Sequence, residues 1–175
     1  CYSMAEFIED KFSSNDQTYK DPNSPITTNL FQSYNLMLYP LPGFHDLFTK
    51  IKETFHSIRV RENISYEKFY IQCWLNVYNA GEKLEWHDHW HPKFQAWHGL
   101  YCVDVGDSST IYKIPNGKEV EIKSKNNLLV ISKSDGDLHR SSDWNESYPR
   151  ITIAFDIVPD HWIRWNSNIN HWIPL

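Results

Sequence analysis

The chain predicts a mainly β domain with helical support at its N-terminus, of the sandwich, barrel or jelly-roll class. Three observations predict it. Beyond residue 66 the apolar pattern alternates with period two in β-forming residues, broken by Gly-, Asn-, Asp- and Ser-rich turns. Before it, residues 42–60 carry apolar side chains at three- and four-residue steps. The 175 residues are 41% hydrophobic and 22% charged, an ordinary globular composition in a chain the size of one domain.

Residues 1–30 are polar, with Ser13-Ser14-Asn15-Asp16 and Asp21-Pro22-Asn23-Ser24-Pro25, and read as loop. Phe44, Leu47, Phe48, Ile51, Phe55 and Ile58 form one stripe of an amphipathic helix that Pro42-Gly43 opens and that packs outside a sheet. Phe69–Tyr78 is the first strand, closed by the turn Asn79-Ala80-Gly81. Six further strands are expected at Leu84–His91, Trp97–Val105, Thr110–Ile114, Glu119–Lys123, Leu128–Ser132 and Arg150–Val158. Gly106–Ser109, Pro115–Gly117 and Ser134–Asp137 supply turns between them. The expected organisation is a single domain, 1–175: helical and loop support over 1–66, a β core over 67–159 and a Trp-rich segment over 160–175. Packing over the barrel is the expected role of that last segment, because indoles bury for area; a lid on the barrel mouth is the functional alternative.

The net charge is −5 and no basic block appears, so duplex nucleic acid is not an expected partner. No apolar run approaches spanning length, no signal segment opens the chain, and no membrane association is expected. Three cysteines (Cys1, Cys73 and Cys102) show neither metal nor disulfide spacing, which points to a reducing, cytoplasmic setting.

Chemistry concentrates in four positions. His87 and His89 are one residue apart, so on a strand both imidazoles aim at one point, and His139 lies about fifty residues on. Nitrogen donors of this kind suit iron, zinc, copper or nickel. Isolated histidines are usually only polar edge residues, but that reading leaves His139 and the arginine behind it unexplained. Strand alternation puts His87, His89 and His91 on one face and turns Asp88 away, leaving Asp88 as an acceptor for an imidazole N–H. His91, before Pro92, falls at the rim, and His98 reads as a structural histidine. Arg150 follows His139 by eleven residues and opens the apolar run Ile151–Phe155, with Thr152 on its own face. A guanidinium in such a strand must be paired, and its fork matches a carboxylate ligand.

These residues resemble the Fe(II)/2-oxoglutarate-dependent oxygenases, most closely the short prolyl-hydroxylase-like members of bacteria and phages. The resemblance covers roughly residues 70–159. It rests on Tyr78-x-x-Gly81-x5-His87-x-His89, the strand Leu128–Ser132, His139, and Arg150-x-Thr152 ahead of Ala154-Phe155-Asp156. It implies a double-stranded β-helix, a cupin-like jelly roll. It further implies that His87 and His139 hold Fe(II), that Arg150 and Thr152 hold the distal carboxylate of 2-oxoglutarate, and that the reaction is a hydroxylation, with ascorbate a candidate reductant. The substrate would be a small molecule or a peptide. The chain departs from the family's H-x-D or H-x-E, having His89 at the carboxylate position, so that the metal would have three histidines, or two with His89 turned away, or the site would be silent. The same residues are also similar to cupins: Gly81-x5-His87-x-His89 and Gly136-x-x-His139 fit, while the cupin glutamate is absent and Arg150 has no role there. A three-histidine cupin dioxygenase and a non-catalytic metal-dependent binding module therefore stand as alternatives.

Overall fold

The structure, a computed structural model, describes residues 1–12, 24–64, 68–114, 116–134, 138–165 and 171–175. Helices α1 (Tyr2–Phe12), α2 (Ile26–Asn29) and α3 (Phe44–Arg61) precede strands β1 (Phe69–Tyr78), β2 (Trp97–Asp104), β3 (Ser109–Lys113), β4 (Glu119–Lys123), β5 (Leu129–Lys133), β6 (Leu138–Ser141) and β7 (Arg150–Pro159). A short helix α4 (Asp160–Trp165) and the two-residue strand β8 (Ile173–Pro174) close the chain. The strands form two antiparallel sheets, ordered β5-β2-β7-β1-β8 and β4-β3-β6. Both sheets contribute side chains to one internal cavity, the jelly-roll arrangement expected for the β core.

Register explains how one sheet serves two purposes. β1 and β7 pair over ten residues, from Phe69↔Pro159 to Tyr78↔Arg150. Odd-numbered Ile71, Cys73 and Leu75 of β1 and Ile151, Ile153, Phe155 and Ile157 of β7 join the helix-facing core with Leu47, Ile51, Phe55 and Ile58 of α3. The predicted helical stripe is thus the buried one, and Phe55 packs edge-on against Phe69 at 5.0 Å. Even-numbered Trp74, Asn76 and Tyr78 of β1 and Arg150, Thr152 and Ala154 of β7 face the cavity instead.

The outer edge of β1 is covered by β8 only at Tyr70 and Ile71. Side chains supplement that edge: Asn35 donates to the Ile71 carbonyl at 3.0 Å and accepts from the Cys73 N–H at 3.1 Å, and the Tyr34 hydroxyl accepts from the Leu75 N–H at 2.9 Å.

Three expectations are corrected. Residues 1–30 are not all loop: α1 buries Met4, Ala5 and Ile8 and α2 buries Thr27 and Thr28, while residues 13–23 lie outside the described ones. In α1, Met4, Ile8 and Phe12 recur at four-residue steps and dock on the core, a stripe too short to stand out beside the polar residues that follow it. Strand β6 was not anticipated, being only Leu138-His139-Arg140-Ser141. The third correction, at Leu84–His91, belongs to the site. The turns expected at Pro115 and at residues 135–137 fall on positions outside the described ones.

Candidate metal centre

His139 stands on β6 and is buried. The segment before His89 runs beside β6: His87 and His139 exchange backbone hydrogen bonds at 3.0 and 2.9 Å, and the Ser141 N–H donates to the Leu84 carbonyl at 3.1 Å. The expected strand Leu84–His91 nevertheless reduces to that single bridge. The reason is that the chain leaves the small sheet after His87 and crosses to the large one. There the His89 Nδ1–H donates to Asp156 Oδ1 at 2.6 Å and the Trp90 Nε1–H to Asp156 Oδ2 at 2.9 Å. A segment tied to one sheet at His87 and to the other at His89 and Trp90 cannot build a ladder with either.

The crossing brings the three histidines together. Ligand atoms of His87, His89 and His139 all lie within 4.8 Å of one another. Around an ion about 2.1 Å from each nitrogen three ligand atoms lie about 3.0–3.6 Å apart, so closing the triad takes side-chain movements of up to about 1 Å. Two tautomers are set for the task. His87 Nδ1–H donates to the Glu85 carbonyl at 2.7 Å, and His89 Nδ1–H to the Asp156 carboxylate, so Nε2 is the atom of each ring left to meet a metal. Burial, then the neighbouring His89, hold the His87 pKa down to about 4. That imidazole is therefore neutral, the form a metal takes. His89 is not turned away, and its imidazole has a dedicated supporting carboxylate.

That carboxylate is Asp156, not Asp88. Asp88 is exposed and has no hydrogen bond to an imidazole among the described residues. Asp156 was legible only as a charged residue in an apolar strand, a position that demands partners. His91 is exposed, as its place at the rim implies, and its Nδ1 accepts from the Lys93 N–H at 3.3 Å. His98 sits closer to the chemistry than its sequence context suggests. Its ring stacks on His89 at 4.6 Å and on His139 at 4.5 Å, and it lines the same cavity. Burial above all, then His89 and His87, push its pKa well below the ordinary histidine range.

Arg150 and Thr152 line that cavity with the triad. Arg150 is 2% exposed. Its Nε–H donates to Ser108 Oγ at 2.9 Å and its guanidinium lies over the Tyr78 ring, 4.9 Å from the centroid. Among the described residues no carboxylate pairs with it. The Thr152 hydroxyl accepts from Asn76 Nδ2 at 3.4 Å, leaving its own proton to donate. A buried cation and a hydroxyl donor thus share the cavity with three imidazoles. The arrangement suits an anion that also reaches a metal.

A second, larger cleft of about 620 Å³ opens on the other side of His87 and His89. Trp74, Trp86 and Trp90 line it, whereas Trp97 belongs to the core and the buried Trp144 donates its Nε1–H to the Tyr148 carbonyl at 2.7 Å. Trp162 of α4 lines the cleft too, its ring 4.4 Å from that of Trp90 at 77°. The Trp-rich tail thereby contributes a wall at the mouth.

No protein-family model matches the chain, and no curated protein matches it. Among solved structures it is similar to an oxidoreductase of the 2OG-Fe(II) oxygenase family from Burkholderia pseudomallei, with 7% identity over 54% of this chain and 47% of that one, TM-score 0.47. A prolyl-4-hydroxylase from Pseudomonas putida matches with 14% identity over 51% and 52%, TM-score 0.44. A cupin domain from Bordetella pertussis Tohama I matches with 11% identity over 54% and 85%, TM-score 0.36. The match thus spans about half the length of each of the first two proteins.

Proposed function

We propose that this protein is an Fe(II)- and 2-oxoglutarate-dependent oxygenase, a hydroxylase acting in the reducing cytoplasm on a small molecule or peptide. The observation that carries the reading is Arg150, a buried guanidinium without a carboxylate partner among the described residues, in the cavity that also holds the histidine triad. A buried charge of this kind is costly unless something pairs it, and a dicarboxylate whose other end reaches the metal does so.

His87, His89 and His139 would hold the iron, with Asp156 and the Glu85 carbonyl fixing the orientation of two of the rings. Arg150 would take the distal carboxylate of 2-oxoglutarate, with Thr152 donating a further hydrogen bond. Ser108 and the Tyr78 ring hold the guanidinium in place before the anion arrives, which lowers the ordering cost of binding. Iron and 2-oxoglutarate, when bound, would with O2 supply the oxidising power for C–H hydroxylation, one oxygen atom of O2 passing to the substrate and the other to the co-substrate, which would leave as succinate and carbon dioxide. The neighbouring tryptophans restrict water around the triad and form the walls against which a substrate would be oriented.

Calorimetric titration of the metal-loaded protein with 2-oxoglutarate tests the proposal. Saturable binding, with succinate released under air, Fe(II) and ascorbate, is expected. Metal binding without any 2-oxoglutarate affinity would assign the site to the three-histidine cupin chemistry instead.

A further inference from the structure

The large cleft beside the triad has a chemical character of its own. Its described lining includes Asp88, Glu85 and Asp156 but neither lysine nor arginine. Two of the three carboxylates are engaged: Asp156 by His89 and Trp90, and Glu85 by Lys83 at 2.8 Å. Asp88 has no ion pair among the described residues. Around it the walls are π surfaces. Trp90 and Trp162 meet at 77° with centroids 4.4 Å apart, and Trp74 and Phe31 add a third side, 5.3 Å from each other. Trp86 already carries a cation, the guanidinium of Arg140 at 5.2 Å, from the side of the inner cavity.

An aromatic box with one carboxylate that has no ion pair, and no lysine or arginine among its described lining residues, recognises a positive charge on an apolar stem. Negative ligands are repelled by the carboxylates, and a purely apolar ligand would leave Asp88 unused. The volume, about 620 Å³, fits a ligand of amino-acid to short-peptide size. Gln32, exposed at the cleft, offers an amide partner for such a backbone.

We infer that this cleft is the substrate site and that its substrate presents an alkylammonium or guanidinium group, as a free basic amino acid or a basic residue in a peptide. The inference rests on the oxygenase reading only in calling the ligand a substrate. Asp88 would supply the counter-charge and the Trp90–Trp162 corner the cation-binding surface.

The test is calorimetric binding to the full chain, both metal-free and loaded anaerobically with Fe(II) and 2-oxoglutarate. The probes are Nα-acetyl-lysinamide, Nα-acetyl-argininamide, free L-lysine, free L-arginine and the neutral control Nα-acetyl-norleucinamide. At least one basic capped amide should bind about tenfold or more tightly than the norleucine control, and comparison of free with capped forms identifies the source. Asp88→Asn and Trp162→Leu should each remove most of that preference, with circular dichroism verifying the fold. Equal affinity for the neutral control, a preference that survives both substitutions, or no binding of any basic probe would overturn the inference. Because 2-oxoglutarate binding is read separately, failure of the cation site and failure of the oxygenase reading give different results.

Discussion

Asp156 accepts two hydrogen bonds from adjacent residues on another segment, the Nδ1–H of His89 at 2.6 Å and the Nε1–H of Trp90 at 2.9 Å. One carboxylate thereby orients a candidate ligand ring and ties the aromatic cleft to the same strand. Asp156 pairs across the large sheet with Gln72 on one side and His98 on the other, so its position is set by strand register.

Replacing Asp156 with asparagine should weaken metal binding by roughly 10- to 100-fold, the usual cost of losing a carboxylate behind a ligating imidazole. Asparagine offers one acceptor atom where two N–H donors converge. A competitive chelator titration measures the effect, and wild-type affinity in the variant would contradict this role.

Arg150→Met should weaken 2-oxoglutarate binding by about 30-fold or more and leave the metal in place. Losing a desolvated charge pair of this kind costs on the order of 2–5 kcal/mol of ligand affinity. Stability of the ligand-free protein should change little or rise, because methionine removes a buried charge that has no carboxylate partner among the described residues. Calorimetry and urea denaturation read the two effects.

Much of the fold was legible in the chain, and part of the site. The period-two runs 69–78 and 150–158 and the helical stripe from Phe44 to Ile58 carry their own patterns; helix burial follows its stripe, whereas both strands are buried on nearly every position, because their two faces meet the helices and the cavity. The spacing of His87, His89 and His139 also pointed to one place, though for an incomplete reason. The histidines converge because their segment crosses between sheets, not because a regular strand aims them together. Asp156 and His98 were hidden because their roles depend on the pairing His98↔Asp156 between β2 and β7, a contact across 58 residues that leaves no local periodic mark. The helix at 2–12 was hidden because its buried stripe spans only Met4, Ile8 and Phe12, and apolar Tyr2 and Phe7 on the exposed side blur it.

Acid should destabilise the metal-free protein across a defined window. His87 has a pKa near 4 in the folded chain against an ordinary 6.5, and His98 is shifted in the same direction. Between those values the unfolded chain binds more protons, so stability should fall as pH drops from about 6.5 towards about 4, and this contribution should level off below. Urea midpoints across that range measure it. A flat profile would mean that these rings are not buried in the neutral form.

Gly99→Ala should destabilise by about 1–3 kcal/mol, because a new methyl would collide with the Phe155 ring and the Val130 carbonyl in the centre of the large sheet. The urea midpoint should shift down. An unchanged midpoint would show that β2 and β7 pack more loosely at this point.

Anaerobic addition of 2-oxoglutarate to the Fe(II)-loaded protein, followed by visible absorption, bears directly on whether the triad and Arg150 form one site. A metal-to-ligand charge-transfer band should appear and saturate in the wild type. In Arg150→Met, with its iron retained, the band should need about 30-fold or more higher 2-oxoglutarate concentrations, and in His139→Ala no band should develop at all. Full iron occupancy in the wild type with no band at any 2-oxoglutarate concentration, or an identical titration in Arg150→Met, would contradict a shared metal and co-substrate site.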